Sequence, residues 1–343
     1  MTSIIYGPPQ RISTLAEFVS CIANKPENNG PDTYELRFLY RGHSNEDYEL
    51  EPSIGRYHHS IRAEHRLIEQ AKNRLPETFR EGESTLTTLA NMQHYGLPTR
   101  LIDFTSNPLV ALYFACQPAY KKDSQGRDTN EPAAGEVIET NEHIHCSGTK
   151  AEGYIQILSP EQLNAFQPKS FEDVLAGFSL RYYSDSIVKQ LITSCIDIIP
   201  DKGMRVSEYI EIIEEKSWFK AWAKQNKYYQ LSDREKTLCI VALLKNPVIV
   251  EEKESIERQR LQQGKYMLIP NLVNADEDGQ FFIRKQLPHL YHKKRHSFGR
   301  YIIAPQDKEK ILISLSRIGI NEGFLFGDSI DYVCKQIKKE VFR

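Results

Sequence analysis

The sequence predicts a mixed α+β fold, on three observations. Strand-like runs occur early (33–40, 100–104) and late (248–250, 261–269, 280–284, 300–304), so late strands are available to pair with early ones. Helical periodicity fills much of the interval between them, most strongly over 206–224 and 233–244. No internal repeat or low-complexity linker divides the chain. The expected organisation is an N-terminal helix and loop over 1–32, then one domain over 33–343 with a polar insertion at 121–150 and a helical insertion around 160–245. A two-domain split near residue 150 is the alternative.

The elements follow in order. Residues 13–23 carry a cap and then apolar residues at helical spacing, and 24–32, rich in Pro, Asn and Gly, is a loop. Thr33 to Tyr40 alternates as a strand should and ends in Tyr40-Arg41-Gly42, placing Arg41 at a strand end before a glycine that admits a close neighbour. Tyr48 to Ile54 is a second extended piece, and 60–75 is helical with its charges on one side.

The stretch Leu89 to Cys116 organises the rest. A helix ends at Gly96 and Pro98, a short strand covers Arg100 to Phe104, and Thr105-Ser106-Asn107 caps a helix whose first residue is Pro108. Such a turn puts polar side chains at a helix N-terminus, where free N–H groups and the dipole suit an anion, although an ordinary capped helix is the simpler reading. Residues 121–150 show no periodicity and read as a long surface loop. Further strands are expected at 153–158 and further helices at 173–178, 308–318 and 330–339.

Composition excludes several classes. At 343 residues, 40% hydrophobic and 26% charged, the chain is an ordinary globular protein, and a net charge of −2 argues neither for nor against nucleic acid. Six scattered cysteines without a C-x-x-C pair read as reduced thiols, and His143 to Cys146, adjacent on a loop, do not make a metal site. No signal peptide or membrane-length apolar run is visible, so the expected location is cytoplasmic, with no membrane partner.

Four ordered blocks resemble the FRG-domain family. They are Tyr40-Arg41-Gly42 (the tyrosine variant of its Phe/Tyr-Arg-Gly motif) with Tyr48-x-Leu-x-Pro-Ser, then Gln93 to Thr105 with Asn107-Pro108 and Ala111 to Ala115. Arg258 with Gln262-Gln263-Gly264 and Tyr266 follows, and Ile318 to Asp328 closes the series, with Gly327 where the family usually has proline. The order of an arginine ending an early strand, a Ser/Thr turn before a helix and a late strand carrying Gln or Glu is also similar to the ADP-ribosyltransferase superfamily. That similarity implies a split β-sheet core binding NAD as substrate in a cleft between two small sheets. Carried over, Arg41 holds the NAD phosphate or ribose, with Tyr40 and Gly42 beside it, and Thr105 or Ser106 bonds the nicotinamide ribose. His94, Tyr95, Asn107 and Tyr113 complete the implied contacts, with buried or core roles as the alternative for both tyrosines and for His94. Gln263, or its neighbour Gln262, takes the place of the catalytic glutamate. Glutamine cannot balance a cationic transition state, which makes Asp103 the candidate for that charge; pairing with Arg100 or capping the next helix is its bland alternative.

One further stretch bears on partners. Gly279 to Gln306 holds no acidic residue, and its Arg284, Lys285, Lys293, Lys294, Arg295 and Arg300 are interleaved with aromatics, as a single-stranded nucleic-acid surface requires; a solvated basic loop is the alternative. Together these features lead us to expect an ADP-ribosyltransferase toxin acting on nucleic acid, RNA before DNA, in a toxin–antitoxin or anti-phage system with a neutralising antitoxin or regulatory protein. The alternative is a non-enzymatic nucleic-acid or nucleotide-binding module. A nuclease ranks third, since no metal-ligand set is visible.

Overall fold

The computed structural model describes residues 8–24, 34–56, 60–145, 186–225, 228–244, 247–250, 257–288 and 299–327, with 334, 337 and 338. The strand expected at 153–158, the helix at 173–178 and nearly all of that at 330–339 lie outside these residues, as do Lys293, Lys294 and Arg295.

A seven-stranded sheet carries the molecule. Its spatial order is β1 (Gln10–Ile12), β12 (Gly299–Ile303), β6 (Gly135–His145), β2 (Tyr34–His43), β3 (Leu101–Thr105), β9 (Gly264–Leu268) and β8 (Val248–Val250). β1 runs parallel to β12, and all other neighbours are antiparallel. A three-stranded sheet combines β7 (Met204–Arg205), β10 (Leu272–Ala275) and β11 (Phe281–Arg284), and β4 (Tyr120–Lys122) pairs with β5 (Asp128–Pro132). The expected α+β class is therefore what the chain adopts.

Register explains where a cleft can open. β2 pairs with β6 at ten positions but with β3 only at Tyr40↔Thr105, so the sheet parts beyond that point. Ile102 and Phe104 of β3 face a core with Leu39, Ile138 and Met267. Leu101, Asp103 and Thr105 alternate onto the opposite face, which Tyr40 shares as register partner of Thr105.

Two helical groups cover that second face. α1 (Leu15–Ala23), α4 (Pro108–Ala115) and α10 (Pro305–Arg317) pack around Phe18, Tyr40, Leu112, Val137 and Ile311. α2 (Ser60–Arg74), α3 (Thr85–His94), α5 (Ser186–Ile198), α6 (Val206–Glu214), α7 (Ser217–Gln225) and α8 (Asp233–Leu244) pack around Leu89, Leu101, Leu191, Tyr209 and Leu268. Asp103 lies between the groups and is the one exposed position of β3. The short α9 (Glu257–Leu261) precedes β9, and α11 (Glu322–Phe326) touches α9.

Three expectations need correction. Residues 121–145 are not a surface loop, because β6 runs through the middle of the sheet. Its apolar alternation is broken by Glu136 and Glu139, both fully buried, so the strand escaped a pattern built on hydrophobicity. The single helix expected over 206–224 is two, α6 and α7, turning at Glu215 and Lys216 so that Ile213 and Phe219 reach one core from two axes. The strand expected from Leu261 begins only at Gly264, after a turn in which Gln263 takes a φ of 48°.

Candidate functional site

The cleft is built from three adjacent strands and two helix ends. Arg41, near the end of β2, reaches across the opening to β3. Its Nη1 donates to the Asp103 carbonyl oxygen at 2.6 Å and lies 3.9 Å from Asp103 Oδ2, and its Nε donates to His43 Nε2 at 3.0 Å. The Arg41 side chain is 19% exposed and that of Asp103 is 57% exposed, so the cation is held within the wall while the carboxylate faces outward. Nη2 of Arg41 makes no hydrogen bond among the described residues. Burial lowers the arginine pKa, with Asp103 opposing the shift and Arg56 adding to it; a guanidinium nevertheless stays charged.

Asp103 is oriented from α3. Gln93 Nε2 donates to Asp103 Oδ2 at 2.9 Å, and the Thr99 hydroxyl donates to Gln93 Oε1 at 2.7 Å, which sets the amide's direction. Asp103 thus neither caps the next helix nor pairs with Arg100, whose guanidinium is bound to Glu64. The cap is Asn107, whose Oδ1 accepts from Leu109 N at 3.0 Å ahead of Pro108 at the first turn.

Thr105 ties this cap to the Gln-Gln turn. Its hydroxyl donates to the Gln262 carbonyl at 2.7 Å and accepts from Asn107 N at 2.9 Å, while Ser106 N donates to the Gln263 carbonyl at 3.2 Å. Of the two glutamines, Gln262 lines the cleft, and its Nε2 donates to the Leu325 carbonyl of α11. Gln263, in the left-handed turn, meets exposed Ser106 at 3.4 Å and is not part of the lining.

The cleft encloses about 250 Å³. Tyr40, Arg41, Gly42, His94, Asp103 and Thr105, all singled out from sequence, line it together. Ser106, Asn107, Tyr95 and Tyr113 do not: the first two form the turn beside it, Tyr95 is 60% exposed next to His94, and Tyr113 packs against Phe114. Sequence reasoning missed Gln93, Gln259, Lys265, Tyr266 and Phe114, which also line it. Gln93, Phe114 and Tyr266 stood inside the family-like blocks, which was the available signal for them. Arg41 and Lys265 against Asp103 leave the lining one positive charge in excess.

Gly42 serves packing. A Cβ there would stand 2.0 Å from the Ala111 carbonyl oxygen, so the close neighbour it admits is the backbone of α4.

Behind Arg41, His43 is 4% exposed and faces Arg41, Arg56 and Glu136, with the Tyr48 ring at its edge. Burial, then Arg41 and Arg56, push its pKa from 6.5 down to about 3. The unfolded chain binds this proton below its ordinary pKa and the folded chain does not until about 3, so the stabilisation is present above pH 6.5 and is lost as pH falls. Between pH 6 and 4.5 we expect His43 to remove about 1.4 kcal/mol of stability per pH unit. Denaturant titrations at several pH values check this; a His43→Gln protein with the wild-type slope would refute it.

Among the described residues, the basic segment's Arg284, Lys285 and Arg300 have separate partners. Arg300 bonds Glu136 inside the sheet, and Lys285 Nζ donates to the Ile196 carbonyl at 3.5 Å. Arg284 lies over the Phe282 ring at 5.1 Å on the small sheet. Arg300 is therefore removed from the set of cations free to meet a phosphate. Among the described residues no helix is long and apolar enough to cross a membrane, and no three His, Cys, Asp or Glu side chains group to hold a metal ion.

No curated protein and no solved structure matches the chain. A family model does: the FRG domain matches residues 36–124, about a quarter of the sequence. That stretch carries β2, α2, α3, β3 and α4, and so Arg41, Gln93, Asp103 and Thr105, while Gln262 and Lys265 lie beyond it. Residues 36–124 are thus similar to an FRG domain, and they supply the arginine side of the cleft.

Proposed function

We propose that the chain is an ADP-ribosyltransferase that binds NAD in this cleft and modifies nucleic acid, RNA before DNA. The observation that carries the reading is the strand order β2-β3-β9, which gathers Arg41, Asp103, Thr105 and Gln262 where the sheet parts. The residues suit the dinucleotide. Arg41 offers an unused Nη2 and the lining is net positive, as a pyrophosphate requires, and 250 Å³ suits a nucleoside-sized end with the remainder lying along the open side.

NAD supplies a ribosyl–nicotinamide bond whose cleavage places positive charge on the ribose. Arg41 anchors the anionic part of the ligand. Asp103, steadied by Gln93, presents Oδ1, which has no hydrogen-bond partner among the described residues, as the negative charge facing the ribose. Gln262 can hydrogen-bond a ribose hydroxyl but adds no charge. Toxicity, a neutralising antitoxin and a role in anti-phage defence rest on the superfamily resemblance alone. A specific observation favours a second reading, a nucleotide-binding module without chemistry: both glutamines are neutral, and one Asp103 oxygen is already engaged.

Label transfer from radioactive NAD to RNA, DNA and protein separates the two. We expect label on RNA, reduced about 100-fold or more in Arg41→Ala and in Asp103→Asn. Folded protein that neither transfers label nor releases nicotinamide would leave the binding module.

A further inference from the structure

A line of polar groups backs the cleft arginine. Arg41 Nε donates to His43 Nε2 at 3.0 Å, so that nitrogen is an unprotonated acceptor and the neutral ring carries its proton on Nδ1. Nδ1 is buried without a hydrogen-bond partner among the described residues, and the carboxylate it faces is Glu136 Oε2 at 3.9 Å. His43 and Glu136 are register partners on β2 and β6, so the sheet itself sets their approach. Glu136 is fully buried and is held from β12 by the Arg300 guanidinium. Arg300, Glu136, His43, Arg41 and Asp103 therefore run across four adjacent strands to the cleft.

We infer that His43, oriented by Glu136, is a positioning residue that locks the Arg41 guanidinium with one edge, Nη2, left for an anionic group of the ligand. Two anchors, His43 Nε2 and the Asp103 carbonyl, fix the guanidinium plane, because Nε and Nη1 diverge along one rigid fork. Glu136 favours the required tautomer, since a proton on Nδ1 faces its charge. The depressed pKa of His43 keeps the acceptor unprotonated across the neutral range. An unanchored arginine would spend binding energy on ordering its own side chain. The ligand half of this inference rests on the NAD reading; the lock does not.

The test uses the full-length protein and two readouts: the nitrogen-15 NMR signal of Arg41 Nε–H, identified by its loss in Arg41→Lys, and NAD titration. Wild type should show a slowly exchanging Nε–H. His43→Gln, which keeps an acceptor, should retain the signal and bind NAD within about threefold, whereas His43→Phe should lose the signal and bind about tenfold more weakly. Should His43→Phe fail to fold, Glu136→Gln replaces it, with faster Nε–H exchange expected. Protected Nε–H together with wild-type affinity in the acceptor-free variant would overturn the inference, as would an unprotected signal in the wild type. A protected wild-type signal without NAD binding would remove the NAD reading alone, and the Nε–H signals of the variants would then decide the lock.

Discussion

Gly42→Ala is expected to destabilise the protein by about 3 kcal/mol and to abolish ligand binding in the cleft. The added Cβ would stand 2.0 Å from the Ala111 carbonyl oxygen, 2.7 Å from Ala115 N and 2.9 Å from Phe114 Cβ. Two of those atoms belong to helix backbone, so no rotamer change relieves the contact and α4 as a whole must move. Gly135 meets the same helix, where a Cβ would lie 2.0 Å from the Ala115 carbonyl oxygen. Two glycines on neighbouring strands thus seat a helix through its alanines, and the N-terminus of that helix is capped by Asn107, whose N–H donates to the cleft-lining Thr105 hydroxyl. Gly135→Ala should cost a similar amount. Because both push α4 away, the double variant should cost clearly less than the sum, as sites sharing one displacement do. Urea denaturation of the three proteins provides the check. Wild-type stability in Gly42→Ala would mean that α4 stands off the sheet, and the geometry of the cleft would fall with it.

The same residues show what was legible in the sequence. The block from Thr85 to Ala115 declared its elements because its signals are local: the Asn107 cap, Pro108 and the Gly96 turn act within one helical turn of the boundary they set. Arg41, Asp103 and Thr105 were legible as candidates for the same reason, each standing at a strand end or in a polar turn. β6 was not, since Glu136 and Glu139 look like solvent-facing residues until their partners appear. Those partners, Arg300 and Tyr301, are 164 and 162 residues away, a distance no local pattern spans. His43 was passed over likewise, because its significance lies in a strand pairing. Gly42 announced a close neighbour without naming it. Adjacent Gln262 and Gln263 could not be told apart by type, and only the left-handed backbone of Gln263 turns one out of the cleft and leaves the other in its lining.

Glu64→Ala is the second substitution from which a large effect is expected, about 3–5 kcal/mol, although Glu64 touches no part of the cleft. Arg100 and Glu64 are both fully buried. The guanidinium Nε donates to both Glu64 oxygens at 2.9 and 3.1 Å, and Nη1 donates to the Ile269 carbonyl at 3.2 Å and to Asn271 Oδ1 at 3.0 Å. One side chain thereby joins α2, the start of β3 and the end of β9, and Asn271 passes the connection on to the Arg284 carbonyl of the small sheet. Removing the carboxylate leaves a cation that cannot lose its proton in a site water does not reach, which is costlier than never having built the pair. The pairing itself is a different quantity. Desolvation of two ions consumes most of their attraction, so Glu64→Leu combined with Arg100→Met should recover most of the loss, and a double variant no more stable than Glu64→Ala would refute that balance. What the double variant should not recover is alignment. Met has no donors for Ile269 and Asn271, so β9 loses an anchor, and with it the turn that holds Gln262 against Thr105. A protein restored in denaturation midpoint but weakened in NAD binding would therefore assign this buried pair to the placement of the cleft's far wall, where stability alone would have assigned it to the core.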